Sequence, residues 1–560
     1  MLGPARVRRR RVARTQAVDD ASSRVALRFV TPVLLLTLPL LLFVSLFHPA
    51  TLDIGNAGWL LDGSDAGENA LGAHAYWHDH AAGASLRTTL LNAPEGVPVL
   101  FTDSNPLVTL VAKPFAAWLP ADAQLVGPFI LLSLILQTLF TWLLLRRHAP
   151  GRIALWAGVV LLAFPPTLMN RAGHVNLMAH WTILAALYLF LDTRRHARWP
   201  WWAALIAVSA LTHSYLLILV GAIWASAILS QWVDGRPGRR PAILAQVAGM
   251  LALGGMLAWW LGVGGQAATG YFGRFSMPLD ALWNPGAEAS TRLIRGHEAS
   301  PGRGFEGFQY LGAGGLLLVA AALGVARYRP SREGERVAGE RLRVLVPALV
   351  ALAVLAIARL PLPPALLTWL DPVRASGRLF WPVGYVLILM AVLAVFRLSA
   401  HRAAAMLLAV VAIQAIDLSG MVAAIRARSQ AASAYRLYTR TTDPRWDQLI
   451  ARSRAVVFLP GDVTRDLELF QEVAWRAIDA GRPVANVYAA RNSRVSLHRL
   501  AAEEAALARA SIDRNRLYIL LPGARIPASL VSRIERVDGV DLIAPGLAAA
   551  RAQNAGAVVR

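Results

Sequence analysis

The chain has 560 residues, 56% of them hydrophobic and 16% charged, with a mean hydropathy of +0.46, values that describe an integral membrane protein. They exclude a cytosolic enzyme, a disordered scaffold and a small secreted domain, and apolar runs of helical length exclude an outer-membrane barrel. The absence of cysteine removes disulfides, thiolate metal sites and cysteine nucleophiles. A net charge of +22 would suggest nucleic acid in a soluble protein. Here the basic residues are arginines apart from Lys113, and they gather at the ends of apolar runs, so no nucleic-acid partner is expected.

Residues 1–25 form a basic N-terminus with a cluster at Arg8–Arg11, read as cytoplasmic. The run Ala26–Phe47 is long enough for a first, uncleaved span. Hydropathy places further spans near 124–145, 153–169, 177–192, 200–213, 214–231, 242–263, 311–326, 343–359, 380–397 and 402–418. About eleven helices then make a transmembrane domain over 26–418, with a large first outer loop at 48–123. Arginine clusters at 146–152, 194–198, 236–240, 327–343 and 397–402 all fall on the side of the N-terminus, as the positive-inside rule requires. The interruption at Thr212-His213-Ser214 reads as a tight hairpin.

Past residue 419 charges appear every few residues, and residues 419–560 read as a soluble α/β domain. Strands are expected at Ala455–Leu459, Pro483–Val487, Leu517–Leu521 and Val540–Ile543, with helices near 464–480, 496–510 and 527–536 and a mostly parallel sheet. An odd number of spans places this domain on the outer side of the membrane. It carries no glycine-rich nucleotide fingerprint.

The outer loops hold the chemistry-bearing residues. Asp65 and Glu68 stand at i, i+3, which suits either a helix cap or a carboxylate held at the membrane surface as a general base. Asp103 lies in Phe101-Thr102-Asp103-Ser104-Asn105-Pro106, a turn in which it or Ser104 would cap the following helix. His174 and His180 are six residues apart, a spacing that does not pair two ligands on one helix face. Glu306, in Phe305-Glu306-Gly307-Phe308-Gln309-Tyr310, sits just before an apolar run, where a carboxylate is costly unless paired or working. Arg374 and Arg378 precede the Leu379–Trp381 interface on the outer side. They suit either a phosphate or partners among the loop carboxylates.

Five boxes in this order carry a family resemblance: Gly63–Asp65, Phe101–Leu107, Gly173-His174 with His180-Trp181, Phe305–Gly312 and Arg374–Pro382, joined by Asn486–Arg491 further on. The chain resembles a bacterial family of polytopic membrane proteins carrying a domain of unknown function, which in turn looks like the integral-membrane glycosyltransferases of the C-type fold. That resemblance implies transfer of a sugar, with inversion, from a polyprenyl-phosphate-linked donor to a glycan, lipid or protein acceptor in cell-envelope synthesis. It implies Asp65, with Glu68 and Asp103, as the acidic catalytic set. It implies a substrate site from His174, His180, Glu306, Gln309, Tyr310, Arg374 and Arg378, surrounded by membrane lipids. A divalent metal is a candidate cofactor, although this sequence lacks the paired acids of better-known members. The competing reading is a transporter or flippase for a lipid-linked saccharide, against which stand the absence of an internal repeat and the location of the polar clusters in loops.

Overall fold

In the computed structural model the described residues are 30–81, 86–192, 195, 197–234, 237–264, 271–298, 303–358, 363–544 and 546. The basic N-terminus at 1–25 lies outside them. The chain is mostly helical, and among the described residues five helical stretches are long and apolar enough to cross a membrane: Val126–Leu145, Ser214–Val233, Arg240–Trp260, Ser376–Val395 and Ala400–Ala434. Shorter apolar helices cover Val30–Leu46, Arg152–Ala163, Val175–Leu191, Trp199–Thr212 and Ala313–Tyr328. Exposed apolar side chains such as Leu132, Leu251, Val350 and Leu408 dot the outer faces of the bundle, a surface that suits hydrocarbon better than water.

Each segment expected to span is largely helical over its described residues, but the segment expected over 153–169 breaks at Phe164-Pro165 into Arg152–Ala163 and Pro166–Met169, and a second boundary differs in an informative way. The helix expected over 343–359 runs from Glu333 to Ile357, with Pro347 inside it. Its first turns are amphipathic, so hydropathy alone starts it too late. Glu335 in that extension is paired by Arg397, whose Nε lies 2.8 Å from Oε2 and Nη2 2.5 Å from Oε1. The break at 212–214 is as expected: the Trp199–Thr212 helix and the helix starting at Ser214 pack on each other, with His213 extended between them.

The described residues of the 48–123 loop are folded. A helix spans Asp65–His78, a two-stranded hairpin pairs Arg87–Thr88 with Val97–Pro98, and a short helix covers Pro106–Ala112. Gly72 lets the first helix lie against the Thr102–Ser104 segment, since a Cβ there would stand 2.0 Å from Thr102 Oγ1. Ser104 Oγ donates to the Asn69 carbonyl at 2.7 Å and closes the same contact.

The C-terminal region corrects the expected sheet. Its order is Ala455–Leu459, Arg516–Leu520, Val540–Ile543, Ile534–Val537, and only the first pair is parallel. The segment expected as a helix at 527–536 is a single turn, Ala528–Val531, followed by the Ile534–Val537 edge strand, which returns through the Asp538-Gly539 turn to Val540. Within 483–487 there is one parallel bridge, Val456 with Val484, because Pro483 cannot donate before it and the Asn486 carboxamide takes both Phe458 backbone groups after it. The Leu467–Asp479 helix packs on the Asp65–His78 helix, and a continuous apolar cluster runs from Phe43 and Leu71 to Phe470 and Trp475. The first loop and the C-terminal region therefore share one core.

Candidate functional site

Asp65 is the first residue of its helix, and the N-cap position is Ser64. Neither expected capping role stands at Asp103: Asn105 caps the Pro106–Ala112 helix through Val108 N–H at 3.2 Å. Asp103 itself adopts a left-handed conformation, φ 53°. Its carbonyl accepts from the carboxamides of Asn69 and Asn176, at 2.6 and 2.7 Å. Those two bonds hold the residue by its backbone and leave the carboxyl facing a cavity of about 1390 Å³.

The wall opposite is a linked set of charges. His174 stands between two carboxylates, with Nδ1 2.8 Å from Asp65 Oδ2 and Nε2 3.5 Å from Glu306 Oε1. Glu306 also receives Arg171 Nη1 at 2.7 Å and a two-pronged Arg378, Nε at 2.8 Å and Nη2 at 2.5 Å. Tyr488, from the C-terminal region, reaches Asp65 Oδ1 at 3.4 Å. Of the two alternatives for the outer arginines, Arg378 pairs with a loop carboxylate. Arg374, half-buried on the same wall, has no carboxylate within ion-pair distance among the described residues.

These contacts separate the two aspartates electrically. Burial raises Asp65, but the hydrogen bond and charge of His174 outweigh it and hold its carboxyl below the usual range. Burial, joined by the negative charge of Asp65, pushes Asp103 up to about 6. For His174, burial opposes protonation, while Asp65 and Glu306 prevail and raise it. Glu306 is buried too, yet Arg378 and Arg171 draw it well below the ordinary value. The site thus holds one carboxylate locked in an ion-pair chain beside another poised near neutrality, the separation from which acid–base roles follow.

Asp65, Asp103, His174, Glu306, Arg374 and Arg378 come together on the cavity. Four other expected residues do not line it. Glu68 is buried against Gln471, its Oε1 3.2 Å from Nε2, and burial lifts it well above the ordinary value. His180 bonds Tyr385 Oη at 2.9 Å inside the bundle. Gln309 donates to Gly377 O at 2.7 Å and Tyr310 to Asp417 Oδ2 at 2.7 Å. Gln309 thereby supports the segment that carries Arg378.

Sequence reasoning assigned no role to several residues of the wall, including His213, Tyr215, Tyr488, Arg491 and Arg494. Arg491 Nη2 donates to the Pro372 carbonyl at 3.1 Å, so the C-terminal region closes over the segment that bears Arg374. The signal was the Asn486–Arg491 box itself, an aromatic and an arginine in a loop that no strand needed. Apolar and aromatic residues, among them Val263, Tyr271, Phe272 and Leu367, form the rest of the lining. Val263, Tyr271 and Leu367 are exposed.

The donor set around Asp65 does not suit the divalent ion that the acidic loop suggested. Both ring nitrogens of His174 are committed to carboxylates, and Glu306 is taken up by two guanidiniums. Among the described residues the three metal-ligating side chains that gather within 4.8 Å of one another, His74, His78 and Asp479, lie elsewhere.

Residues 36–419 match the family described as Domain of unknown function (DUF6311), and residues 445–545 match the DUF6311 C-terminal domain. No curated protein matches the chain.

Proposed function

The chain belongs to the DUF6311 family, and we propose that it is a membrane glycosyltransferase that moves a sugar from a polyprenyl-phosphate-linked donor to a hydroxyl acceptor. The observation that carries this reading is the cavity's division of labour. It sets a carboxyl poised near neutrality, Asp103, within the same space as arginines that include the uncommitted Arg374, beside an apolar and exposed rim. An amphiphile with an anionic head group and a hydrocarbon tail matches that lining.

In the proposed reaction Asp103, as carboxylate, takes the proton of the acceptor hydroxyl while its oxygen attacks the anomeric carbon. The bond from that carbon to the phosphate oxygen breaks, and its electron pair leaves with the phosphate, whose charge Arg374 and Arg491 receive. A single displacement of this kind inverts the anomeric centre. Asp65, kept anionic by protonated His174, raises the basicity of Asp103 without taking the proton itself. Glu306 holds His174 and Arg378 in place.

The same reading places the protein in a bacterial inner membrane with about eleven crossings and the C-terminal domain in the periplasm. In support, Gln471 Oε1 accepts from Gly63 N–H at 2.9 Å, so the first loop and the C-terminal domain lie on one side. Single cysteines at the exposed positions Asp62 and Ser532 should label from outside, and cysteines at Arg147 and Arg240 from inside. Labelling of position 532 from the cytoplasm would overturn this arrangement.

Donor recognition is tested with decaprenyl monophosphate and the purified protein in nanodiscs. Wild type should bind it, and Arg374→Ala should weaken binding by about tenfold or more, the loss of one charge-assisted contact. Equal binding by the variant removes Arg374 from the donor site. Vectorial movement of the lipid without any sugar transfer would favour the transporter instead.

A further inference from the structure

Away from the cavity, His74 and His78 stand at i, i+4 on the face of the Asp65–His78 helix that meets the Leu467–Asp479 helix. Asp479, the last residue of the second helix, puts Oδ1 2.8 Å from His74 Nε2. Ligand atoms of all three residues lie within 4.8 Å of one another. From this we propose a second site, one that binds a divalent first-row cation, zinc by its donor set, and fastens the C-terminal domain to the first loop. It does not depend on the transferase reading.

Three observations carry the inference. The first is the spacing: an i, i+4 histidine pair projects two imidazoles from adjacent turns, and two nitrogens with one carboxylate oxygen make a zinc set whose fourth position water can fill. The second is orientation. His78 Nδ1 lies 2.9 Å from the His74 carbonyl, so the proton sits on Nδ1 and the lone pair is left on Nε2, the arrangement by which a backbone acceptor aims a ligating imidazole. The third is placement: His74 is fully buried and stacked on Trp475 at 3.8 Å, which holds its ring with Nε2 turned toward Asp479.

Binding requires the three side chains to adjust. Ligands about 2.1 Å from a tetrahedral ion stand about 3.4 Å apart, so the contact of 2.8 Å between His74 and Asp479 must open by several tenths of an ångström, and ligand atoms now within 4.8 Å of one another must settle at that common distance. Asp479 is 37% exposed at a helix end, and among the described residues its other oxygen is held by Tyr438 Oη at 3.5 Å, so it can make that move.

Purified full-length protein, stripped with chelator and re-equilibrated with zinc, should retain one equivalent by elemental analysis. His78→Ala and Asp479→Asn should fall to background, and zinc should raise the melting temperature of wild type and of neither variant. These two residues are chosen because neither fills the core, whereas His74 does. Zinc retention by wild type no greater than by the two variants, or an unchanged wild-type melting temperature, would overturn the proposal. Neither readout involves sugar transfer, so the outcome is independent of the reaction proposed for the cavity.

Discussion

Two buried glutamates illustrate how the same ion-pair chemistry serves different ends. Glu335 faces one guanidinium, Arg397, which spends Nε and Nη2 on the carboxylate and Nη1 on the Arg329 carbonyl at 2.7 Å. All three guanidinium nitrogens have an acceptor, and the pair ties the Glu333–Ile357 helix to the turn between the Trp381–Val395 and Ala400–Arg428 helices. Glu306 instead divides its two oxygens among Arg171, Arg378 and His174, and through His174 its influence passes to Asp65 and so to Asp103. A saturated pair is a fastening, while a shared carboxylate at a cavity wall sets the charge state of its neighbours.

The sharpest test of that contrast is Asp103→Asn, expected to reduce transfer by about 10²–10⁴-fold, the usual contribution of a general base. Stability should move the other way. The folded state holds the Asp103 carboxyl at about 6 against a reference of 3.8, so it binds more protons than the unfolded chain between those values. Stability from this group is present below pH 4 and is lost as pH rises through 6. Removing the charge should therefore stabilise the protein at pH 7 by an amount on the order of 1–3 kcal/mol. Asparagine accepts the left-handed backbone that residue 103 requires. A lower melting temperature for Asp103→Asn would assign the residue to structure.

Next in size is Glu306→Gln against Glu335→Gln. The first leaves Arg171 and Arg378 with an uncharged partner and should cost about 3–5 kcal/mol, the range for breaking a buried pair. Glu335→Gln strips one guanidinium, beside exposed arginines, and should cost less by chemical denaturation. If the order is reversed, Glu306 is the less strained of the two and the shared-carboxylate argument fails.

Much of this was legible in the sequence for reasons that also explain what was not. Apolar runs reveal helices because burial in lipid or core requires them, and each expected span is largely helical over its described residues. Among the described residues length and apolarity then single out five, since Glu333–Ile357 mixes in polar positions and helices such as Arg152–Ala163 and Trp199–Thr212 fall short. In the C-terminal region, strands at Ala455–Leu459 and Val540–Ile543 are near their expected places. Their pairing is not, because short apolar runs do not encode the partner, and the Ile534 strand was hidden in an alternation short enough to pass for a helix. Boxes around Asp65, Asp103, His174, Glu306 and Arg378 marked the site, whereas the capture of Arg378 by Glu306, 72 residues away, depends on tertiary contact alone. His180, Gln309 and Tyr310 fell within those boxes and Glu68 lies just past the first, yet each packs against site-bearing segments rather than lining the cavity.

The pH profile offers a finer test. If Asp103 must be ionised to accept the proton, transfer should rise with pH along a limb centred near 6. Flat activity from pH 5 to 8, at constant donor occupancy, would remove Asp103 as the base.

The smallest expected effect separates the two aspartates. Asp65→Asn removes the like charge that helps raise Asp103 and the partner that helps raise His174. Asparagine keeps the size of the side chain, and Ser64 remains at the N-cap, so the helix should persist. With Asp103 as the base, the variant retains transfer at a rate lower by about tenfold, because a weaker base is a poorer proton acceptor. Its limb also shifts down by about one pH unit as the repulsion between the carboxylates is lifted. With Asp65 as the base, the variant instead loses transfer as completely as Asp103→Asn. Measuring both variants across the same pH range decides which carboxylate takes the proton, since only a neighbour's charge can move the limb while leaving activity beneath it.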